Sequence, residues 1–293
     1  MSIHNLYHLN TGIWDLSTHE LESIIESHSS QVLRVLDMTL DEKRIQTALK
    51  QLHPDLFQRL RQSKNHAFHN LEHFLDVHRR LWILLENLLK KSRPLTKNML
   101  LLWEGALIHD DDHAGNTYRQ DVIEWAHMSN EEWATYLFEQ DIRRLDVLLA
   151  SHEIIFTRDA VHATSFWQNT LPKNDPRYRP YEAKTLEQKL LVFADVSWPL
   201  IDGWEYWVIE SIRVIKEVGP SPSVFGEWIE SRIHFLTFIE KLYYELESNF
   251  KKEFQRKIRK NLDECKANLQ CLIDGNLPDE AGKLEVELGL ANY

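Results

Sequence analysis

Only two cysteines, nine glycines and nine prolines occur in 293 residues. Cys265 and Cys271 stand six positions apart, outside any metal-finger or redox spacing, so no disulfide framework is implied and a reducing compartment fits. Scarce glycine and proline beside 43% hydrophobic residues allow a substantial core in one domain, or in one domain with helical extensions. No run approaches eighteen apolar residues, and Met1 to Leu6 lacks the charged region and apolar core of an export signal. The expectation is a cytoplasmic chain without a membrane span. Positive charge is also in deficit: a net charge of -11 opposes an extended nucleic-acid surface, although a local basic pocket remains compatible with it. Neither a P-loop nor a Gly-x-Ser-x-Gly elbow is present, which leaves kinase, nucleoside-triphosphatase and serine-esterase readings without support. Internal repeats and low-complexity segments are lacking too.

What the chain has is helical periodicity. Apolar residues recur at three- and four-residue spacing almost throughout, with few β-type alternations, and predict an all-α fold. Helices are expected near 18 to 37, 41 to 51, 54 to 63, 70 to 91, 95 to 110, 129 to 155, 183 to 218 and 225 to 272. Pro54 and Pro94 fall at first-turn positions, and Gly219-Pro220-Ser221-Pro222 is a break. Ser129 and Glu132 form a capping box that opens the sixth of these helices.

Three separated segments carry metal-binding chemistry. His69 and His73 are four residues apart, which on a helix puts both on one face. His109-Asp110-Asp111-Asp112-His113 closes the apolar run Met99 to Ile108, so an imidazole and a carboxylate emerge where a buried helix ends. Unpaired burial of such groups costs several kcal/mol, roughly, and a shared cation compensates it. A divalent ion would also relieve the repulsion among three consecutive aspartates. Asp195 is the one carboxylate in Leu190 to Trp198, where a buried acid needs a partner. Pairing with an arginine, or a helix cap, is the alternative account of Asp195.

These residues resemble the HD superfamily of metal-dependent phosphohydrolases, whose signature is a His, a His-Asp doublet and a distant Asp. His69-Asn70-Leu71-Glu72-His73 is similar to the His-Asn-x-x-His branch shared by cyclic nucleotide phosphodiesterases and uncharacterised predicted phosphohydrolases. His109-Asp110-Asp111-Asp112-His113-Ala114-Gly115 is similar to the phosphodiesterase His-Asp-x-Asp-His-Pro-Gly, with Ala114 replacing the proline. Asn130-Glu131-Glu132 resembles the Asn-Glu pair that opens the next helix in the uncharacterised group. The resemblance covers about residues 66 to 200. It implies an HD-type helical bundle with additional N- and C-terminal helices, divided as an extension over 1–65, a catalytic core over 66–218 and a second extension over 219–293. It also implies His73, His109, Asp110 and Asp195 as protein ligands of one metal. Asp110 would bridge to a second, water-rich metal, His69 would be the general acid, and His113 and Glu131 would orient water. The implied cofactors are one or two divalent ions, with Zn, Mn, Fe, Co or Mg all accepted by such ligands. His152 sits where some two-metal members place an extra histidine, or is simply a polar residue on a helix face.

Outside the motifs, a proline-interrupted stretch near 164 to 181 carries Lys173, Arg177 and Arg179 against Asp175 over Leu171 to Pro180, as capture of a phosphate requires. A solvated loop would look the same. Trp198, Trp204 and Trp207 follow Asp195 as either core residues or an aromatic wall for a base. Lys251 to Lys260 holds six basic residues, either as a solvated helix face or as a contact for an acidic partner. The leading expectation is hydrolysis of a small anionic phosphate ester, a nucleotide or related molecule. A diiron oxygenase that recruits His127 and His152 is an alternative, and so is a non-catalytic binding module organised by metal. The oligomeric state stays open.

Overall fold

The computed structural model describes residues 16–33, 38–62, 68–112, 128–165, 182–218 and 225–274. Regular structure among them is helical, as the periodicity predicts: α1 (Thr18–Leu33), α2 (Leu40–Lys50), α3 (His53–Gln62), α4 (Leu71–Asn87), α5 (Thr96–Ile108), α6 (Asn130–Arg144), α7 (Ser151–His162), α8 (Leu186–Val196), α9 (Trp198–Ile201), α10 (Trp204–Val218), α11 (Phe225–Leu246) and α12 (Lys252–Ile273). No described helix is long and apolar enough to cross a membrane.

Short-range chemistry starts these helices. Thr39 with Glu42, Ser129 with Glu132 and Thr185 with Gln188 form reciprocal capping boxes at α2, α6 and α8. Asn70 caps α4, its Oδ1 accepting from the backbone of Glu72 at 2.9 Å and of His73 at 3.3 Å. Three expected helices are divided. The stretch 129 to 155 breaks between α6 and α7, where Asp146 adopts a left-handed φ of 51°. The stretch 183 to 218 breaks twice, at Ser197 and at Gly203, whose φ of 98° suits a residue without a Cβ. The stretch 225 to 272 breaks at a 3₁₀ turn, Glu247–Asn249.

At the centre, α4 packs on α1, α5 and α8, while α5 also meets α2, α6 and α7. Every residue of α5 from Met99 to Ile108 is buried, the expected state of a helix apolar on all faces. Gly105 permits the close approach: a Cβ there would meet Leu191 Cδ2 at 3.3 Å and Val161 Cγ2 at 3.7 Å. The last helices cover one side, α12 packing on α9, α10 and α11, and α11 on α8. An isolated antiparallel bridge ties this layer to α4. Leu89 N–H donates to Asn249 O at 2.7 Å, and Lys251 N–H donates to Asn87 O at 2.9 Å.

Buried charge is paired across the α4–α10 region. Arg80 donates to Asp202 at 2.7 Å, Arg79 reaches Asp202 at 2.8 Å, and Tyr206 donates to Asp76. Arg213 bridges Glu72 at 2.8 Å and Glu210 at 2.9 Å. Trp198, Trp204 and Trp207 are core residues, 5%, 5% and 1% exposed.

Candidate metal centre

His73 comes from the first turn of α4, His109 from the C-terminal end of α5, Asp110 from the turn that follows, and Asp195 from the last turn of α8. Capping by Asn70 fixes the start of α4, and the packing of α5 and α8 against α4 brings the three segments together. His73 Nε2 and His109 Nε2 lie 3.3 Å apart. Asp110 Oδ2 is 3.1 Å from His109 Nε2 and 3.7 Å from His73 Nε2, while Asp195 Oδ1 is 3.4 Å from His73 Nε2 and 3.7 Å from His109 Nε2. Three donor atoms, from His73, His109 and Asp110, thus face one small volume, with Asp195 Oδ1 within 3.4–3.7 Å of its two imidazoles.

The donor set fits a transition-metal ion. His109 Nδ1 donates to Ala106 O at 3.0 Å, so Nε2 is the nitrogen available to a metal. The two imidazole nitrogens both face carboxylate oxygens. The electrostatics call for positive charge here. Burial works against a charged His109, yet Asp110 and Asp195 overcome it and bring the pKa up to about 9. Burial keeps His73 below the usual histidine range and hence neutral, the form that ligates. His73, His109 and Asp110 form a group able to hold an ion, and Asp195 Oδ1 approaches both of its imidazoles without belonging to that group.

His69 stands beside this cluster but not on the helix. It precedes the N-cap, so the shared helical face expected from the four-residue spacing does not form; the two rings instead meet edge to face at 5.7 Å. His69 Nε2 is 3.8 Å from Asp110 Oδ2, and Nδ1 bonds Glu217. Glu217 also accepts from the backbone N–H of Phe68 at 2.7 Å and of His69 at 2.9 Å. Despite burial, the contact with Glu217 and the charge of Asp110 raise the pKa of His69, while His69 and these amides hold Glu217 down to about 2. Glu217 is the site residue that sequence reasoning missed. A faint signal existed: it lies seven residues after the buried Glu210, on the same face of α10.

Glu131 is 6% exposed at the start of α6, and burial together with the nearby charge of Asp110 raises its pKa. The Ser129–Glu132 box forms as the spacing predicts, with Glu132 N at 3.1 Å from Ser129 Oγ and Ser129 N at 2.8 Å from Glu132 Oε2. The three consecutive aspartates are separated by other means than a shared ion. Asp111 pairs with Arg59 at 2.7 Å, and Asp112 accepts from Trp133 Nε1 at 3.0 Å. Arg59 also reaches Asp141 at 2.8 Å, which anchors the turn after His109 to α3 and α6. His152 is exposed on the first turn of α7, outside the cluster. His113, His127, Lys173, Arg177 and Arg179 lie outside the described residues.

No family model and no curated protein matches the sequence. Among solved structures the chain is similar to LmjPDEB1, solved in complex with IBMX, at 15% identity and a TM-score of 0.58 over 86% of each chain. It is also similar to the phosphodiesterase domain of the RhoPDE fusion protein from the choanoflagellate Salpingoeca rosetta, at 17% identity and a TM-score of 0.56, over 96% of this chain and 93% of that one. The chain therefore has the all-helical fold of these phosphodiesterase structures, the fold that its His-Asn-x-x-His and His-Asp motifs imply.

Proposed function

We propose that this chain is a metal-dependent phosphohydrolase acting on a small anionic phosphate ester, a nucleotide or related molecule. The observation that carries the reading is the convergence of His73, His109 and Asp110 with Asp195 beside them, from three segments, with the His69–Glu217 pair alongside. His73, His109, Asp110 and Asp195 would hold one divalent ion, and Asp110 would also serve a second. When bound, one or two such ions activate water and neutralise phosphoryl charge. Zn, Mn, Fe, Co and Mg all suit these donors.

The protein's own groups supply the proton and the orientation. Glu217 accepts from His69 Nδ1–H and favours the charged ring, so Nε2 holds a proton for the departing oxygen. Glu131 and His113 orient water, and Lys173, Arg177 and Arg179 attract the anionic substrate. No nucleophilic side chain takes part. Residues 66–218 form the catalytic core in this reading, with 1–65 and 219–293 as helical extensions. The diiron oxygenase alternative draws on extra histidine ligands, and exposure of His152 away from the cluster disfavours it.

The test is a panel of phosphomonoesters, cyclic and linear phosphodiesters and nucleotides, assayed with each divalent ion. Turnover with at least one ester is expected. His69→Ala should lose about 10²- to 10⁴-fold in kcat while retaining stoichiometric metal. Loss of metal from that variant would make His69 a ligand, and dioxygen-dependent oxidation without ester hydrolysis would overturn the hydrolase reading.

A further inference from the structure

The bridge between the end of α4 and the α11–α12 junction brings together two strongly basic stretches of an acidic chain. Residues 88–97 hold four basic side chains and no acid, and residues 251–260 hold six against Glu253 alone, while the whole chain carries a net charge of -11. Leu89 N–H donates to Asn249 O at 2.7 Å and Lys251 N–H donates to Asn87 O at 2.9 Å, so both stretches leave from one backbone contact. Lys90, Lys91, Lys252, Arg256, Lys257 and Lys260 are exposed. Glu247 holds Arg259 at 2.6 Å, and Glu253 is 4.0 Å from Arg256. Lys90, Lys91, Lys257 and Lys260 have no carboxylate partner among the described residues. Charge gathered in this way costs the fold self-repulsion and is relieved by an external anion.

An apolar tip stands within the first of these stretches. Leu95 is 64% exposed and occupies the N-cap of α5 without a side-chain hydrogen bond, at a position where Ser, Thr, Asp or Asn is favoured. Single exposed leucines are ordinary, and Leu40 at 87% is one. Leu40, however, precedes Asp41 and Glu42, whereas Leu95 follows Lys90, Lys91 and Arg93 and precedes Lys97, with no acid before Glu104. An apolar tip ringed by cations matches the boundary of an anionic bilayer, where ammonium groups meet the headgroups and an alkyl side chain enters the acyl layer. A polyanion in solution matches the charge but leaves Leu95 in water.

We infer that this end of the helical bundle docks on an anionic phospholipid surface, the exposed lysines of both stretches meeting the headgroups and Leu95 entering the outer acyl layer. His73 lies in the first turn of α4 and the bridge follows its last, which leaves the candidate metal centre about 20 Å away along that helix, clear of the bilayer. The net negative charge does not prevent docking, because acids farther from the surface than a Debye length, about 8 Å at physiological ionic strength, are largely screened. The inference is independent of the phosphohydrolase reading.

Co-sedimentation of the full chain with vesicles tests it, using phosphatidylcholine alone and phosphatidylcholine mixed two to one with phosphatidylserine. Binding is expected to the mixed vesicles only and should weaken as salt rises. Lys90→Ala with Lys91→Ala, and Lys257→Ala with Lys260→Ala, should each weaken it about 10- to 30-fold, or about fivefold per ammonium group. Leu95→Ala leaves the charge unchanged and should weaken it about five- to tenfold. These surface variants should keep the wild-type melting curve. Absence of binding to the mixed vesicles at low salt overturns the inference, as does binding that survives in the lysine variants. Binding that falls in the lysine variants but not in Leu95→Ala marks a purely electrostatic contact, open to any acidic partner, and overturns the bilayer assignment.

Discussion

A backbone carbonyl prepares His109 for its task. By accepting from Nδ1–H, Ala106 O fixes the tautomer and turns Nε2 toward His73, Asp110 and Asp195. Asp195 supplies the only donor in the cluster from α8, so Asp195→Ala should lose stoichiometric metal by elemental analysis while α8 stays folded by circular dichroism. Glu217 holds the other imidazole. Glu217→Gln keeps the shape but removes the charge that favours the protonated His69, so kcat should fall about tenfold or more with metal content and KM unchanged. A fall in metal content in that variant would place Glu217 in the metal's support instead. The contrast between these two acids shows what a sequence reveals. His69, His73, His109 and Asp110 announce themselves through spacings of one to four residues, and Asp195 through its apolar neighbours. Glu217 sits 148 positions from His69 in an amphipathic helix with two other acids, and only packing of α10 brings it there.

At the scale of the helix, the Ser129–Glu132 cap is local and legible in the sequence, whereas breaks inside long periodic stretches are not. Ser129→Ala removes the acceptor for Glu132 N at the start of α6 and should cost about 1 kcal/mol, read as a lower midpoint in urea at unchanged slope. The apolar pattern runs on through 145–150 and 197–201, 247–251 is polar apart from Phe250, and no proline marks the first or last of these breaks. They arise where the chain must turn to cover a finite core, with Asp146 and Gly203 taking left-handed backbone. Gly203→Ala places a Cβ on a φ of 98° and should destabilise the α9–α10 junction by about 1 kcal/mol or more, although the space beside it is open. An unchanged melting curve would mean that the junction relaxes to a right-handed turn.

The whole molecule should be sensitive to mild acid through histidines buried away from the metal centre. Trp82 Nε1–H donates to His78 Nε2 at 3.1 Å, so the proton of His78 lies on Nδ1, 3.0 Å from His28 Nδ1, and both rings are neutral. Burial, aided by Arg79, holds His28 down to about 4, and burial holds His162 down to about 4. A depressed pKa means that the stability from each neutral ring is complete above about 6.5 and is lost as pH falls through about 4, on the order of 2 kcal/mol for His28 after allowance for its partial exposure. Glu210, raised to about 7 by burial, acts in the opposite sense and favours the fold as it takes up a proton. Denaturation midpoints measured from pH 7 to pH 4 should fall less steeply in His28→Leu than in the wild type, and equal slopes would exclude the pair as a source of acid lability. The bridge between Leu88 and Phe250 has a consequence of a different kind. Its two amides, Leu89 and Lys251, belong to segments about 160 residues apart, yet neither can be exposed to solvent without parting the end of α4 from the α11–α12 junction. In native-state hydrogen exchange they should open with one common free energy and one common denaturant slope. If they do, the covering helices detach from the metal-bearing helix as a single cooperative unit.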